Sequence, residues 1–389
     1  LKPPETPQNP FRTFFMAGFE CSTHRTEDGR RLDLVSSTRH DLHAMQDYAR
    51  LRGVGIGVAR EGLRWHLIAS RPGQLDFTTV EPILDAARAH DVQVIWDLCH
   101  YGWPDWLDVW SEEFVLRFAE LAHGFVHFLR ERSAEPIVLT PVNEISFFSW
   151  AAGEQGIFYP YAKRRGGELK RQLVRAALAA IDAAWAADRS VRVVHTDPVI
   201  NVIPHPRRPQ DRERAAQYTQ AQYEAMDMLA GRAAPELGGD PRYVDLVGLN
   251  YYHDNQWYYA LGRKLPRDHP DYKPLHVLLL AWAERYGRPL LLAETGIEGS
   301  LRPGWLRWVC EEVRALRAEG GDLLGLCLYP IVNHPGWTND RHCHNGLWDY
   351  ADPAGERPIY EPLAKELRRQ MKRFAAGDLV ARPGARGAR

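Results

Sequence analysis

Two glutamates close short apolar runs in this chain: Glu144 in Thr140-Pro141-Val142-Asn143-Glu144, and Glu294 in Leu290-Leu291-Leu292-Ala293-Glu294-Thr295-Gly296. A carboxylate at the C-terminal tip of a buried strand points into a shared mouth rather than into bulk solvent. Two of them, from different strands, are the parts needed to break a glycosidic bond. Other polar side chains stand at the ends of other apolar runs: Arg60 with Glu61, His100, Asn143, and Asn250 with Tyr252. Arg60 has a second reading, a core ion pair with Glu61.

Converging side chains need parallel strands. Short apolar, β-prone runs lie at 14–18, 56–61, 93–98, 137–142, 191–195, 244–249, 290–293 and 323–328. Continuous runs of this kind suit strands covered on both faces. Between them, Phe114, Phe118, Leu121, Ala122, Phe125, Phe128 and Leu129 form a helical stripe, as do Leu173, Ala176, Ala177, Ala180, Ile181, Ala184 and Trp185. Gly287-Arg288-Pro289 and Gly320-Gly321-Asp322 punctuate helix ends before strands. The alternation predicts an α/β protein, a single (β/α)8 TIM barrel with elaborated βα loops over residues 1–375, followed by a disordered tail over 376–389. In such a barrel, strand C-termini converge on one site. No Gly-rich phosphate fingerprint follows the first run, which argues against a doubly wound nucleotide-binding fold.

Composition narrows the partners. The 49 basic and 50 acidic residues leave a net charge of −1, which argues against nucleic acid and against a membrane surface as partner. No apolar segment approaches the roughly 20 residues needed to span a bilayer. The 13 tryptophans and 16 tyrosines suit either core packing or stacking on sugar rings. Five cysteines, Cys21, Cys99, Cys310, Cys327 and Cys343, are widely spaced without a CxxC, which favours reduced thiols and a cytoplasmic protein. The polar, Pro-rich start is no signal peptide, although the absence of Met leaves room for a removed leader. His342-Cys343-His344 near Asp340 is metal-like in composition but has no second ligand pair at a useful distance, and is read as a loop lining the cleft. No metal and no cofactor are expected, and no feature specifies an oligomeric state.

Five segments then fall into a family pattern. His100-Tyr101-Gly102-Trp103-Pro104 after Val94-Ile95-Trp96-Asp97-Leu98 resembles the third-strand signature of family 1 glycoside hydrolases. Asn143-Glu144 resembles that family's acid/base pair, and Gly248-Leu249-Asn250-Tyr251-Tyr252 its sixth-strand motif. Ala293-Glu294-Thr295-Gly296 resembles its nucleophile segment with Thr in place of Asn, and Arg60 stands five residues before Trp65 as on its second strand. The resemblance runs from about Phe14 to Tyr350. It implies a retaining β-glycosidase acting on a carbohydrate by double displacement, with Glu294 as nucleophile and Glu144 as acid/base. Arg60 and Tyr252 would orient Glu294, because alternation puts Asn250 and Tyr252 on one face and Tyr251 on the other. Asn143 and His100 would bond sugar hydroxyls. A retaining pair implies carboxyl groups about 5–5.5 Å apart.

The departures concern the sugar. Counting from Gly18, Arg25 stands where the family carries a Gln that grips the glycone. After the eighth strand Tyr329 takes a tryptophan's platform position, Trp337 matches a second Trp, and Gly336 replaces a Glu. These changes imply a glycone other than plain glucose or galactose, such as an acidic sugar meeting Arg25. The alternatives are an endo-acting β-glucanase or mannanase of the same clan, told apart by oligosaccharide products; a transglycosidase, told apart by new glycosides with an added acceptor; and a carbohydrate-binding barrel that cleaves nothing.

Overall fold

The apolar runs become the staves of one closed barrel. The computed structural model describes residues 9–377. Its long strands are β1 (Phe15–Gly18), β2 (Val58–Gly62), β3 (Gln93–Cys99), β4 (Val138–Val142), β5 (Arg192–Pro198), β6 (Leu246–Asn250), β7 (Leu290–Thr295) and β8 (Leu323–Leu328). All neighbours pair in parallel, each strand lies beside the next in sequence, and β8 closes onto β1. A helix returns the chain after each strand, for example Glu112–Arg130 after β3, Gly166–Ala187 after β4 and Arg302–Ala318 after β7. This is a (β/α)8 barrel.

Burial on two faces explains the unbroken apolar runs. Met16, Val58, Ile95, Val138, Val194, Leu246 and Leu291 fill the barrel interior. The alternate residues, such as Ala59, Trp96, Leu139, Val193 and Val247, pack outward with the helices. The helix Glu112–Arg130 shows why its stripe works: Ser111 Oγ caps Phe114 N at 3.2 Å, and Phe114, Phe118, Leu121 and Phe125 are buried against the barrel wall.

One irregularity matters for the site. Leu249 opposes Leu292, but Asn250 opposes Glu294, so β7 carries one extra residue at its tip. Leu291 and Ala293 both face the interior; strict alternation would then turn Glu294 outward. The bulge turns it into the mouth instead, a re-aiming typical of barrel rims.

Long βα loops raise walls around that mouth. After β4 the chain makes the short helix Ile145–Phe148 and a π turn, Ser149–Glu154. Asn201–Ile203 pairs with Gln256–Tyr258, and His334–Pro335 with His342–Cys343. Ala376 and Gly377, expected in a tail, continue the last helix, Glu361–Gly377; residues 378–389 lie outside the described residues. The five cysteines are buried and unpaired. No helix among the described residues is long and apolar enough to cross a membrane.

Candidate active site

Arg60, on β2, is the hub. It is 1% exposed, and each of its five N–H groups has an acceptor. Nε and Nη2 grip Asp97 at 2.9 and 2.7 Å, Nη2 also reaches Asn143 Oδ1 at 2.7 Å, and Nη1 donates to Glu294 Oε1 at 2.8 Å and Ala293 O at 3.2 Å. Glu61 points the other way, accepting from the Tyr48 hydroxyl and meeting His40, so the Arg60–Glu61 pair is not formed. Burial opposes the charge of Asp97, but Arg60 and His100 overcome it and hold its carboxyl below the ordinary value. Tyr252 donates to Glu294 Oε2 at 2.8 Å. Both oxygens of Glu294 are thus fixed by donors, one of them a full positive charge.

Glu144 sits in a contrasting environment. It is 8% exposed and follows β4 in left-handed backbone, with φ +48. That turn is pinned from β5: Thr196 O accepts from Glu144 N at 3.0 Å, and Asp197 accepts from the Ser146 backbone and hydroxyl at 3.0 and 2.7 Å. Tyr101, also left-handed at φ +68, donates to Glu144 Oε2, and Asn250 Nδ2 donates to Oε1 at 2.9 Å. Among the described residues no cation pairs with it. Burial and then the charge of Glu294 push the Glu144 carboxyl up to about 8, against a smaller pull from Tyr101 and Asn250. At neutral pH one carboxyl holds a proton beside another that is paired with arginine.

Asn143 is fully buried and does not line the cavity. Its Oδ1 accepts from Arg60 and from Thr196 Oγ1 at 2.8 Å, and its Nδ2 donates to His100 Nε2 at 3.1 Å and Tyr101 OH at 2.9 Å. Both ends of its amide are engaged by neighbouring side chains, while the sugar-hydroxyl contact expected of it would have to be made from outside the cavity lining. Arg60 fixes which amide atom of Asn143 is the oxygen, so Asn143 Nδ2 faces His100 Nε2, while His100 Nδ1 faces Asp97 at 2.9 Å.

A cavity of about 670 Å³ opens over this cluster. Glu144, Glu294, His100, Tyr252, Tyr329 and Trp337 line it, along with Glu20 and Tyr101, which sequence reasoning passed over. The ring of Tyr329 lies parallel to His100, centroids 6.0 Å apart. Arg25 is elsewhere. The chain doubles back through an Arg25–Arg31 bridge, and Asp105 takes the Arg25 guanidinium, with Nε to Oδ1 at 2.8 Å. An acidic sugar therefore finds no partner in Arg25. His342, Cys343 and His344 also stay off the cavity wall, which their loop lines through His334 and Asn345 instead. Ligand-type atoms gather at His342, His344 and Asp349, and at Cys21, Asp97 and His100. In the first group the two imidazoles stack at 4.1 Å and 15°, so their in-plane lone pairs do not converge; in the second, Asp97 is already held by Arg60.

Asp97 and Tyr101 each left a trace in the sequence. Asp97 is a charge inside an apolar strand, two residues from the inward-facing Ile95, and Tyr101 adjoins His100.

Neither a protein-family model nor a curated protein matches the sequence. Solved structures do. An AHE enzyme from Alicyclobacillus herbarius is 17% identical with a TM-score of 0.77, the match covering 95% of this chain and 99% of that one. A β-glycosidase from Pyrococcus horikoshii is 14% identical, TM-score 0.74, with 95% and 98% covered. A β-glucosidase from Thermotoga maritima, in complex with castanospermine, is 14% identical, TM-score 0.73, with 93% and 97% covered. This chain has the fold of those β-glycosidases. At such identities the likeness is one of fold.

Proposed function

We propose that the protein is a retaining β-glycosidase that hydrolyses a β-linked sugar by double displacement. One observation carries the reading: two carboxyls share a cavity in opposite environments, Glu294 held by Arg60 and Tyr252 and Glu144 kept protonated by burial and by Glu294 itself. Glu294 attacks the anomeric carbon and forms an ester while Glu144 gives its proton to the departing oxygen. The ester is neutral, so the repulsion that raised Glu144 disappears. Glu144, now a carboxylate, takes a proton from water as that water attacks the ester carbon, and both groups return to their starting state. Two inversions at one carbon retain its configuration. No cofactor enters.

The leaving group must pass Glu144, toward the loops after β4 and β5. There Phe147, Trp150, Ile200 and Tyr218 line the cavity, a surface that suits an apolar or ring-bearing aglycone. The glycone points the other way, where the family's Gln and Glu are missing, and a sugar other than plain glucose or galactose fits that change.

Steady-state kinetics on aryl glycosides of graded leaving-group acidity test the assignment. Glu294→Gln abolishes turnover on all of them. Glu144→Ala loses about 10²–10⁴-fold on poor leaving groups but far less on a dinitrophenyl glycoside, which needs no proton. Equal loss across the series contradicts Glu144 as the acid.

A further inference from the structure

The sugar end of the cavity is built from β1 and β8, which are neighbours in the ring and stand across it from β4 and β5. Glu20, two residues beyond β1, lines that end and is 7% exposed. Its position is set by the barrel itself, since Phe19 N still donates to Arg60 O at 3.0 Å, extending the β1–β2 pairing past the end of β1. Ser22 holds Oε1 through its backbone N–H, at 3.0 Å, and through its hydroxyl. Oε2 has no donor among the described residues. That oxygen is not one of the buried side-chain atoms left without a partner, so it stays open to the cavity that Glu20 lines, and the proposed hydrolysis gives it nothing to do.

A second acceptor stands on the adjoining wall. Asn345, in the loop after β8, donates through Nδ2 to His334 Nε2 at 3.0 Å, and His334 Nδ1 faces the Pro335 carbonyl at 2.8 Å. His334 Nε2 is therefore an acceptor, which fixes the Asn345 amide. Its Oδ1 is left buried with no partner. The cations that could balance this end are engaged: Arg60 by its five acceptors, Arg25 by Asp105, and Lys170, beyond Glu144, by Glu224.

We infer that Glu20 is the glycone-specificity residue of this chain, accepting through Oε2 a hydrogen bond from a donor on the sugar ring remote from the anomeric carbon, with Asn345 Oδ1 as a second acceptor. The glycone class is one rich in donors at that edge, carrying hydroxyl or ammonium, and not a uronide, whose carboxylate would meet Glu20 with like charge. Glu20 takes over recognition from the two positions where Arg25 and Gly336 stand. The inference rests on the glycosidase reading for which end of the cavity holds the sugar.

Aryl glycosides sharing one activated leaving group test it: a neutral parent, its monodeoxy and amino analogues, and the uronide. Glu20→Gln keeps an acceptor for Ser22 and reverses the polarity at Oε2. It is expected to lower kcat/KM on the parent about tenfold to a hundredfold, and to have no effect on the one deoxy analogue that lacks the bonded hydroxyl. An amino analogue that outruns the parent in wild type and loses that lead in Glu20→Gln identifies the donor as ammonium; the opposite order identifies a hydroxyl. Loss shared equally by every analogue, no loss at all, or wild-type preference for the uronide overturns the inference. If wild type turns over no glycoside, the hydrolase reading fails by itself, and calorimetric binding of a neutral iminosugar decides Glu20. At least tenfold weaker binding by Glu20→Gln supports its role, whereas equal or absent binding overturns it.

Discussion

Glu144 and Glu294 are the same side chain, and contacts alone give them different work. A guanidinium and a phenol donate to one; a phenol, an amide and a neighbouring charge surround the other. Under the proposed role of general acid, with burial and Glu294 pushing its carboxyl up to about 8, Glu144 is expected to make kcat/KM fall as pH rises through about 8. Tyr101 works against that elevation by donating to the charged form. Tyr101→Phe removes the donor, so the alkaline limb moves to higher pH, and a pH–rate profile of the two proteins checks the sign. A shift to lower pH contradicts the role given to Tyr101. Both glutamates were legible because each ends an apolar run. Glu20 was not, because nothing in Phe19-Glu20-Cys21 marks one carboxylate oxygen as unpaired, and only the fold brings Ser22 to the other. Arg25 was misplaced for a related reason: counting from Gly18 assumes the chain runs straight, whereas Thr26 N bonds Arg30 O and turns it aside.

Between elements, small residues and one bulge set the geometry. The eight barrel strands were legible in the sequence to within a few residues, since both faces of each are covered and periodicity reports burial; the short loop strands Asn201–Ile203, Gln256–Tyr258, His334–Pro335 and His342–Cys343 were not. The bulge at Ala293–Glu294 was not, because an extra residue in one strand shows only against its partner's register. Gly18, at the tip of β1, lets Tyr329 close over the barrel: a Cβ there would fall 2.1 Å from Tyr329 Cδ2. Gly18→Ala must push that ring off the cavity floor. It is expected to cost about 1–3 kcal/mol in chemical denaturation, and to raise KM on aryl glycosides as the platform shifts. An unchanged KM would remove Tyr329 from the sugar's surroundings.

Across the whole molecule the seam where the barrel closes carries a buried ionic cluster. His40 meets Asp47 at 2.8 Å and Glu61 at 3.0 Å, and Arg357, from beyond β8, grips Asp47 at 2.7 Å. Burial opposes the imidazolium of His40, but Glu61 and then Asp47 outweigh it and raise the group to about 9. A pKa raised on folding stabilises the protein fully below the unfolded value near 6.5, and that contribution fades as pH climbs through about 9. Urea denaturation from pH 6 to 10 is expected to show stability falling by roughly 3 kcal/mol through this window, a fall that His40→Gln largely removes. The same closure brings β1 and β8 together at the end of the cavity proposed to hold the sugar, across the ring from β4, which carries Glu144 at its tip. Covalent trapping tests the central claim most directly. The fluorine of a 2-deoxy-2-fluoro aryl β-glycoside slows both formation and breakdown of the ester, and an activated leaving group restores the rate of formation alone, so the ester accumulates. Peptide mapping by mass spectrometry is expected to find one sugar per chain, on the peptide that carries Glu294. Turnover of aryl glycosides with that peptide unlabelled and an inverted first-formed anomer would contradict the account.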